Sequence, residues 1–165
     1  MCLVFILLLL TPFAAGATED EPRNFIKGSF AEIVTAKVGK PFIVSLWSVD
    51  CPPCIRELKL WSELRTDHPE MALVLISTDG VDARTDVNTL LQKTLFSKTS
   101  STRRNKPESW VFADEFEARL RFEIDPKWYG ELPHTIFFSR DHSRQNVSGL
   151  LKREQIELWL QQQAQ

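Results

Sequence analysis

The chain has 165 residues, 43% of them hydrophobic, enough for one well-packed core and too few for two comfortable ones. Its 20 Lys and Arg against 22 Asp and Glu leave a net charge of -2, so no overall field favours nucleic acid or an anionic membrane surface. Nucleic acid is therefore not an expected partner, and charge names no other.

Residues 1–17, MCLVFILLLLTPFAAGA, contain no charged side chain. The apolar stretch from Cys2 to Leu10 is short for a membrane span, which needs about 20 residues. Ala15-Gly16-Ala17 offers a small-residue cleavage site, so a secretory signal peptide is expected, with an uncleaved N-terminal anchor as the alternative. Residues 18–27, opening TEDEPRNF, read as a tether that leads into a single domain over 28–165, with packing starting near Phe25.

FAEIVTAKVGKP gives a short helix or strand closed by a Gly-Lys-Pro turn, and FIVSLWS (42–48) has the length and β-branched content of a buried strand. From Cys54 onward Ile55, Leu58, Trp61 and Leu64 recur every three residues among Arg56, Glu57, Lys59 and Glu63, which predicts an amphipathic helix. MALVLIST (71–78) is a second buried strand ending in the polar loop TDG, and Val87, Leu90, Leu91 and Leu95 predict a helix over 82–96. Residues 97–109 are polar and locally basic and read as a solvated loop. WVFAD is a short strand and EFEARLRF a helix, with IDPKWYGELP as a turn-rich connection. HTIFF and QNVSGLL flank SRDHSR as a β-hairpin, and KREQIELWLQQQ closes the chain as a helix. The NVS at 146–148 matches a glycosylation sequon, a motif frequent by chance.

If Cys2 leaves with the signal, the mature chain keeps two cysteines, Cys51 and Cys54, at the junction of the first buried strand and its helix. A structural zinc site needs four Cys or His ligands, usually in two pairs, and here His68, His134 and His142 are scattered. No resident metal is expected. The choice narrows to an inert staple or a redox centre in an oxidising compartment. A loop this short removes little denatured-state entropy, so a staple would contribute poorly and the redox reading is favoured.

Three segments, GKPFIVSLWSVDCPPCIREL, EARLRFEIDP and GELPHTIFFSRD, resemble the thioredoxin superfamily, and more narrowly the TlpA and ResA type of exported disulfide reductases. The resemblance takes in most of the chain from about Gly28 to Trp159. The resemblance implies an α/β thioredoxin-like fold, a central mixed β-sheet flanked by helices on both faces, with Pro133 as a cis proline opposite the CxxC. It also implies a bacterial periplasmic monomer acting on exported proteins that carry disulfides, with a membrane dithiol protein as electron donor and cytochrome c maturation among the roles served. Leu132 and Pro133 would then pair with an extended substrate segment. By position Trp47 is either an active-site aromatic or, as a Trp that ends a core strand, a packing residue. The sequence departs from the pattern at Asp50, where many relatives have an aromatic, at Ser45, where thioredoxin keeps a buried acid, and at Lys59, which replaces a helix proline.

Exchange requires a thiolate that attacks and a thiol that resolves. Cys51, at the helix start, is the expected attacker because the helix dipole and free N–H groups stabilise its anion, and Cys54, one turn in, the resolver. Pro52 and Pro53 have no N–H and Asp50 adds negative charge, so the Cys51 thiolate is less stabilised, which favours a reductase over an oxidant. Besides Asp50, two further modulators are expected: His134, which either biases Cys51 toward thiolate or joins the sulfurs around Cu(I), unless strand alternation turns it away, and Glu57, read as a solvated or capping acid or a proton relay to Cys54. No cofactor beyond the Cys51–Cys54 disulfide is expected. The alternatives are a Cu(I)-carrying assembly factor for a respiratory oxidase, using the same thiols, and a binding module that only recognises a partner.

Overall fold

A computed structural model of the chain describes residues 21–96 and 106–164. The two most apolar runs become the central strands, β2 (Phe42–Trp47) and β3 (Leu73–Ser77), every residue of which is buried. Strands buried on both faces read as unbroken apolar runs because helices cover each side. Around them, in chain order, lie β1 (Arg23–Phe25), α1 (Ser29–Thr35), α2 (Pro52–Asp67), α3 (Arg84–Leu91), β4 (Glu108–Phe112), α4 (Glu117–Ile124), β5 (His134–Phe138), β6 (Arg144–Ser148) and α5 (Arg153–Gln163).

The sheet has the order β1-β4-β3-β2-β5-β6. β1 to β4, β4 to β3 and β3 to β2 are parallel, whereas β5 is antiparallel to both β2 and β6, so the sheet is mixed as expected. Each face carries its own core. On one, Leu58, Trp61 and Leu64 of α2, Val87 and Leu91 of α3 and Ile156 and Trp159 of α5 pack on Ile43, Trp47 and Leu75. On the other, Phe30 and Ile33 of α1 and Leu120 and Ile124 of α4 pack on Phe42, Val44, Leu46 and Ile76. Alternation along β2 and β5 therefore decides which core each side chain enters.

Three expectations change. Arg23–Phe25 lies within the predicted tether yet forms a parallel edge strand on β4, with Phe25 fully buried against Trp110 and Phe112. Arg84 secures it by donating to Pro22 O and Asn24 Oδ1. Three residues are too few for a period-2 pattern to register. The helix predicted over 82–96 is a short 3₁₀ turn at Val81–Ala83, α3, and a π turn at Gln92–Phe96. Within the loop predicted over 97–109, residues 97–105 lie outside the described residues, while Glu108 and Ser109 belong to β4 and pair with Val74 and Leu75. The predicted signal segment, 1–17, is also outside the described residues.

If β1 is an integral strand, Phe25→Ala leaves a cavity in the second core and costs about 3 kcal/mol or more in urea unfolding. A tether would tolerate the change within about 0.5 kcal/mol.

Candidate active site

β2 ends at Trp47 and α2 begins at Pro52, and the turn between them closes with Cys51 N–H donating to Ser48 O at 3.3 Å. Proline suits the first turn of a helix, where a backbone N–H has no intrahelical acceptor. Cys51 is the N-cap, in extended conformation, and its Sγ accepts the Cys54 N–H at 3.2 Å. An N-cap side chain ordinarily accepts from the second or third helical residue. Pro53 removes the first of these, and Cys54 alone supplies the second. Cys51 and Cys54 are joined as a disulfide. Cys54 is 0% exposed in the core and Cys51 half-buried at the rim, so an approaching group meets Cys51 first.

One turn along α2 from Cys54, Glu57 is only 1% exposed. It is neither solvated nor a cap. Its Oε1 accepts the hydroxyls of Thr135 at 3.1 Å and Ser45 at 3.3 Å, and its Oε2 accepts the Leu151 N–H at 3.1 Å. Burial pushes this carboxyl above the usual Glu range, against the opposing pull of the Leu151, Thr135 and Ser45 donors. Ser45, read as a departure from the thioredoxin pattern, thus meets a buried acid that arrives from the helix. Thr135 and the Leu151 N–H carry no sequence signal, because their meeting with Glu57 depends on β5 crossing beside β2.

The Leu132–Pro133 bond is cis, Pro133 is buried, and Pro133 O accepts the Gly149 N–H at 2.8 Å. Leu132 is half-buried and touches both cores. His134 pairs with Leu46 and Thr135 with Ser45, which sends the two side chains to opposite faces. Thr135 faces Glu57. His134 faces away, stacked on Trp128 at 5.2 Å with its Nδ1 2.9 Å from Ser148 Oγ. The expectation that His134 tunes Cys51 or joins the sulfurs around Cu(I) fails on this alternation. Burial lowers its pKa despite Asp125 and Glu131, so the ring favours the neutral form. Of the two readings of Trp47, the structure shows packing and not a place on the substrate surface: the residue is 1% exposed and packs in the same core as Cys54. Asp50 is exposed, with its N–H 3.3 Å from Ser48 Oγ.

No protein-family model and no curated protein matches the chain. Solved structures do. DsbF of Mycobacterium tuberculosis, described in mixed oxidised and reduced forms, aligns over 78% of this chain and 84% of its own, with a TM-score of 0.56 and 17% identity. A thiol:disulfide interchange protein of the thioredoxin family from Chlorobium tepidum aligns over 78% and 82%, with a TM-score of 0.57 and 14% identity. A secreted Mycobacterium tuberculosis disulfide oxidoreductase homologous to DsbE aligns over 74% and 81%, with a TM-score of 0.53 and 16% identity. The chain has a thioredoxin fold. Within that fold the Cys51–Cys54 disulfide stands at the N-terminus of α2 and the cis Pro133 at the start of β5. Among the described residues no helix is long and apolar enough to cross a membrane.

The raised pKa of Glu57 has a consequence for stability. Between the ordinary Glu value and the folded-state value, the native protein holds a proton that the unfolded chain has lost, so stability falls as pH rises through that window. Gln at this position can still accept from Leu151 N–H while its amide donates to the two hydroxyls. Glu57→Gln is therefore expected to gain stability relative to the parent as pH rises above the ordinary Glu value toward the raised folded-state value, measured by urea unfolding. A constant difference across that range would show that the carboxyl is not perturbed.

Proposed function

We propose that the protein is a thiol-disulfide oxidoreductase of the bacterial periplasm that reduces disulfides in exported proteins. The observation that carries this reading is the depth order of the pair: a half-buried Cys51 capping α2 above a fully buried Cys54. The apolar, uncharged segment 1–17 supports export.

In the reductive cycle the Cys51 thiolate attacks one sulfur of a substrate disulfide, forming a Cys51–substrate disulfide and releasing the other substrate sulfur as a thiolate that takes a proton. Cys54, deprotonated, then attacks the Cys51 sulfur. The second substrate thiol leaves, and Cys51–Cys54 is oxidised. Two electrons and two protons have passed to the substrate, and a membrane dithiol donor returns them to the pair. Glu57 serves the second attack by taking the Cys54 proton, for which its raised pKa and buried position on the same helix face suit it. The substrate segment pairs with the backbone of Leu132, since Pro133 O is already engaged by Gly149. The reductive direction is supported by the weak stabilisation of the Cys51 anion: one helix donor, with a proline at each of the two preceding positions, and the nearby charge of Asp50. A poorly stabilised thiolate favours the disulfide and makes the dithiol the better electron donor.

The Cu(I)-carrier reading retains the two sulfurs as its ligands and loses His134, so no geometry favours it over exchange.

Trapping tests the assignment. With Cys54→Ser, exported proteins are expected to accumulate as covalent adducts on Cys51 that a reducing agent releases, and with Cys51→Ser those adducts are absent. Adducts through Cys54 alone would exchange the roles, and none from either variant would defeat the reductase reading in favour of the copper carrier or the binding module.

A further inference from the structure

The loop that ends β3 is connected to the dithiol by a set of contacts that the exchange chemistry above does not use. Asp79 lies in the polar TDG segment, half-buried, beside the end of β2. Its carboxylate accepts from Ser48 Oγ at 2.8 Å, from the Val49 N–H at 3.0 Å and from Ser77 Oγ at 2.5 Å, while its own N–H donates to Ser77 Oγ at 3.1 Å. Two of the three donors belong to the turn that leads into Cys51. Ser48 passes the restraint on, because its Oγ also accepts the Asp50 N–H at 3.3 Å and its carbonyl accepts the Cys51 N–H at 3.3 Å. The strand ends are joined independently through the Thr78 N–H and Trp47 O at 2.9 Å, so β2 and β3 do not need Asp79 to stay paired. Asp79 thus ties the turn, through Ser48 and Val49, to Ser77 at the end of β3.

A carboxylate hydrogen bond is stronger and more directional than a neutral one, so a bidentate hold on Ser48 and Val49 restricts the segment Ser48–Cys51 far more than its own turn would. The position of Cys51 matters on that scale. Its sulfur has one helix donor, Cys54 N–H, and no second to fall back on if the N-cap shifts. On the exchange reading, we propose that Asp79 is a positioning residue for the attacking thiol, holding the Ser48–Cys51 turn so that Cys51 Sγ stays on the Cys54 N–H and open to an incoming disulfide.

The experiment measures reaction of the reduced protein with oxidised glutathione, in which the dithiol gives two electrons and two protons and yields the Cys51–Cys54 disulfide and two glutathione thiols. Both the rate constant of attack and the equilibrium constant are read, together with urea stability. Asp79→Ala is expected to slow attack roughly tenfold, since small misplacements of reacting groups carry penalties of this order, and to shift the equilibrium constant at least about threefold. Asp79→Asn, whose amide oxygen can keep part of the hold, should recover part of both. Ser48→Ala removes the hydroxyl that links Asp79 to the Asp50 N–H while keeping the carboxylate in place, and should move both constants in the same sense as Asp79→Ala, which keeps the test open if the latter folds poorly. Asp114→Ala, which removes the Arg119 pair and the Phe116 N–H contact at the start of α4, serves as the control for lost stability and should leave both constants unchanged. Unchanged constants in Asp79→Asn and Ser48→Ala, with a wild-type protein that does exchange, would overturn the positioning role while leaving the reductase reading intact. A wild-type protein that does not exchange with glutathione would overturn that reading and this one with it.

Discussion

The Glu57 carboxyl gathers four separate parts of the chain at one point: α2, on which it sits, Ser45 of β2, Thr135 of β5 and the Leu151 N–H ahead of α5. A carboxyl this deep is tolerated only where its oxygens find donors, and losing the Leu151 N–H would leave Oε2 desolvated without the donor that holds it. The crossing of β5 beside β2, the seating of α2 on the sheet and the approach of α5 are therefore coupled through a single side chain. Trp61 extends the set by donating from Nε1 to Ser45 Oγ at 3.3 Å. Because the same helix turn carries Cys54, whatever holds Glu57 also holds the inner sulfur.

Two further restraints complete the site from either side. The cis Leu132–Pro133 segment is backed by the stack of His134 on Trp128, whose Nε1 donates to Glu131 O at 2.9 Å, so this loop is built from the face opposite the dithiol. On the other side, Asp79 fixes the turn that delivers Cys51. The outer sulfur thus sits between two supported loops while its own anion is served by one helix donor. On the proposed function, rigidity and weak thiolate stabilisation act together: the thiol is well placed to attack, and the oxidised pair is the more stable state.

Much of this was legible in the sequence because the signals were local. The apolar runs at 42–48 and 71–78 became β2 and β3, the CxxC fell at a strand-to-helix junction, and Pro133 preceded a strand, each a matter of neighbouring residues. What the sequence did not reveal depended on contacts between distant segments. Glu57 looked solvated because charged residues on amphipathic helices usually are, and nothing near it announces that Thr135 and Leu151 will supply donors. His134 lay at a position where a one-residue difference in alternation decides between the dithiol and the opposite core. β1 was hidden by its length, and Asp79 by its place in a loop whose composition marks a turn and says nothing of what the turn will hold.

The central claim, a dithiol poised to give electrons, is tested most directly by its reduction potential. Equilibration of the protein with defined glutathione ratios, read by mass shift or by the fluorescence of buried Trp47, gives the value. The account predicts a potential below the roughly -180 mV of protein disulfide isomerase and nearer the roughly -270 mV of thioredoxin. A potential close to that of DsbA, roughly -120 mV, would contradict the reductive direction.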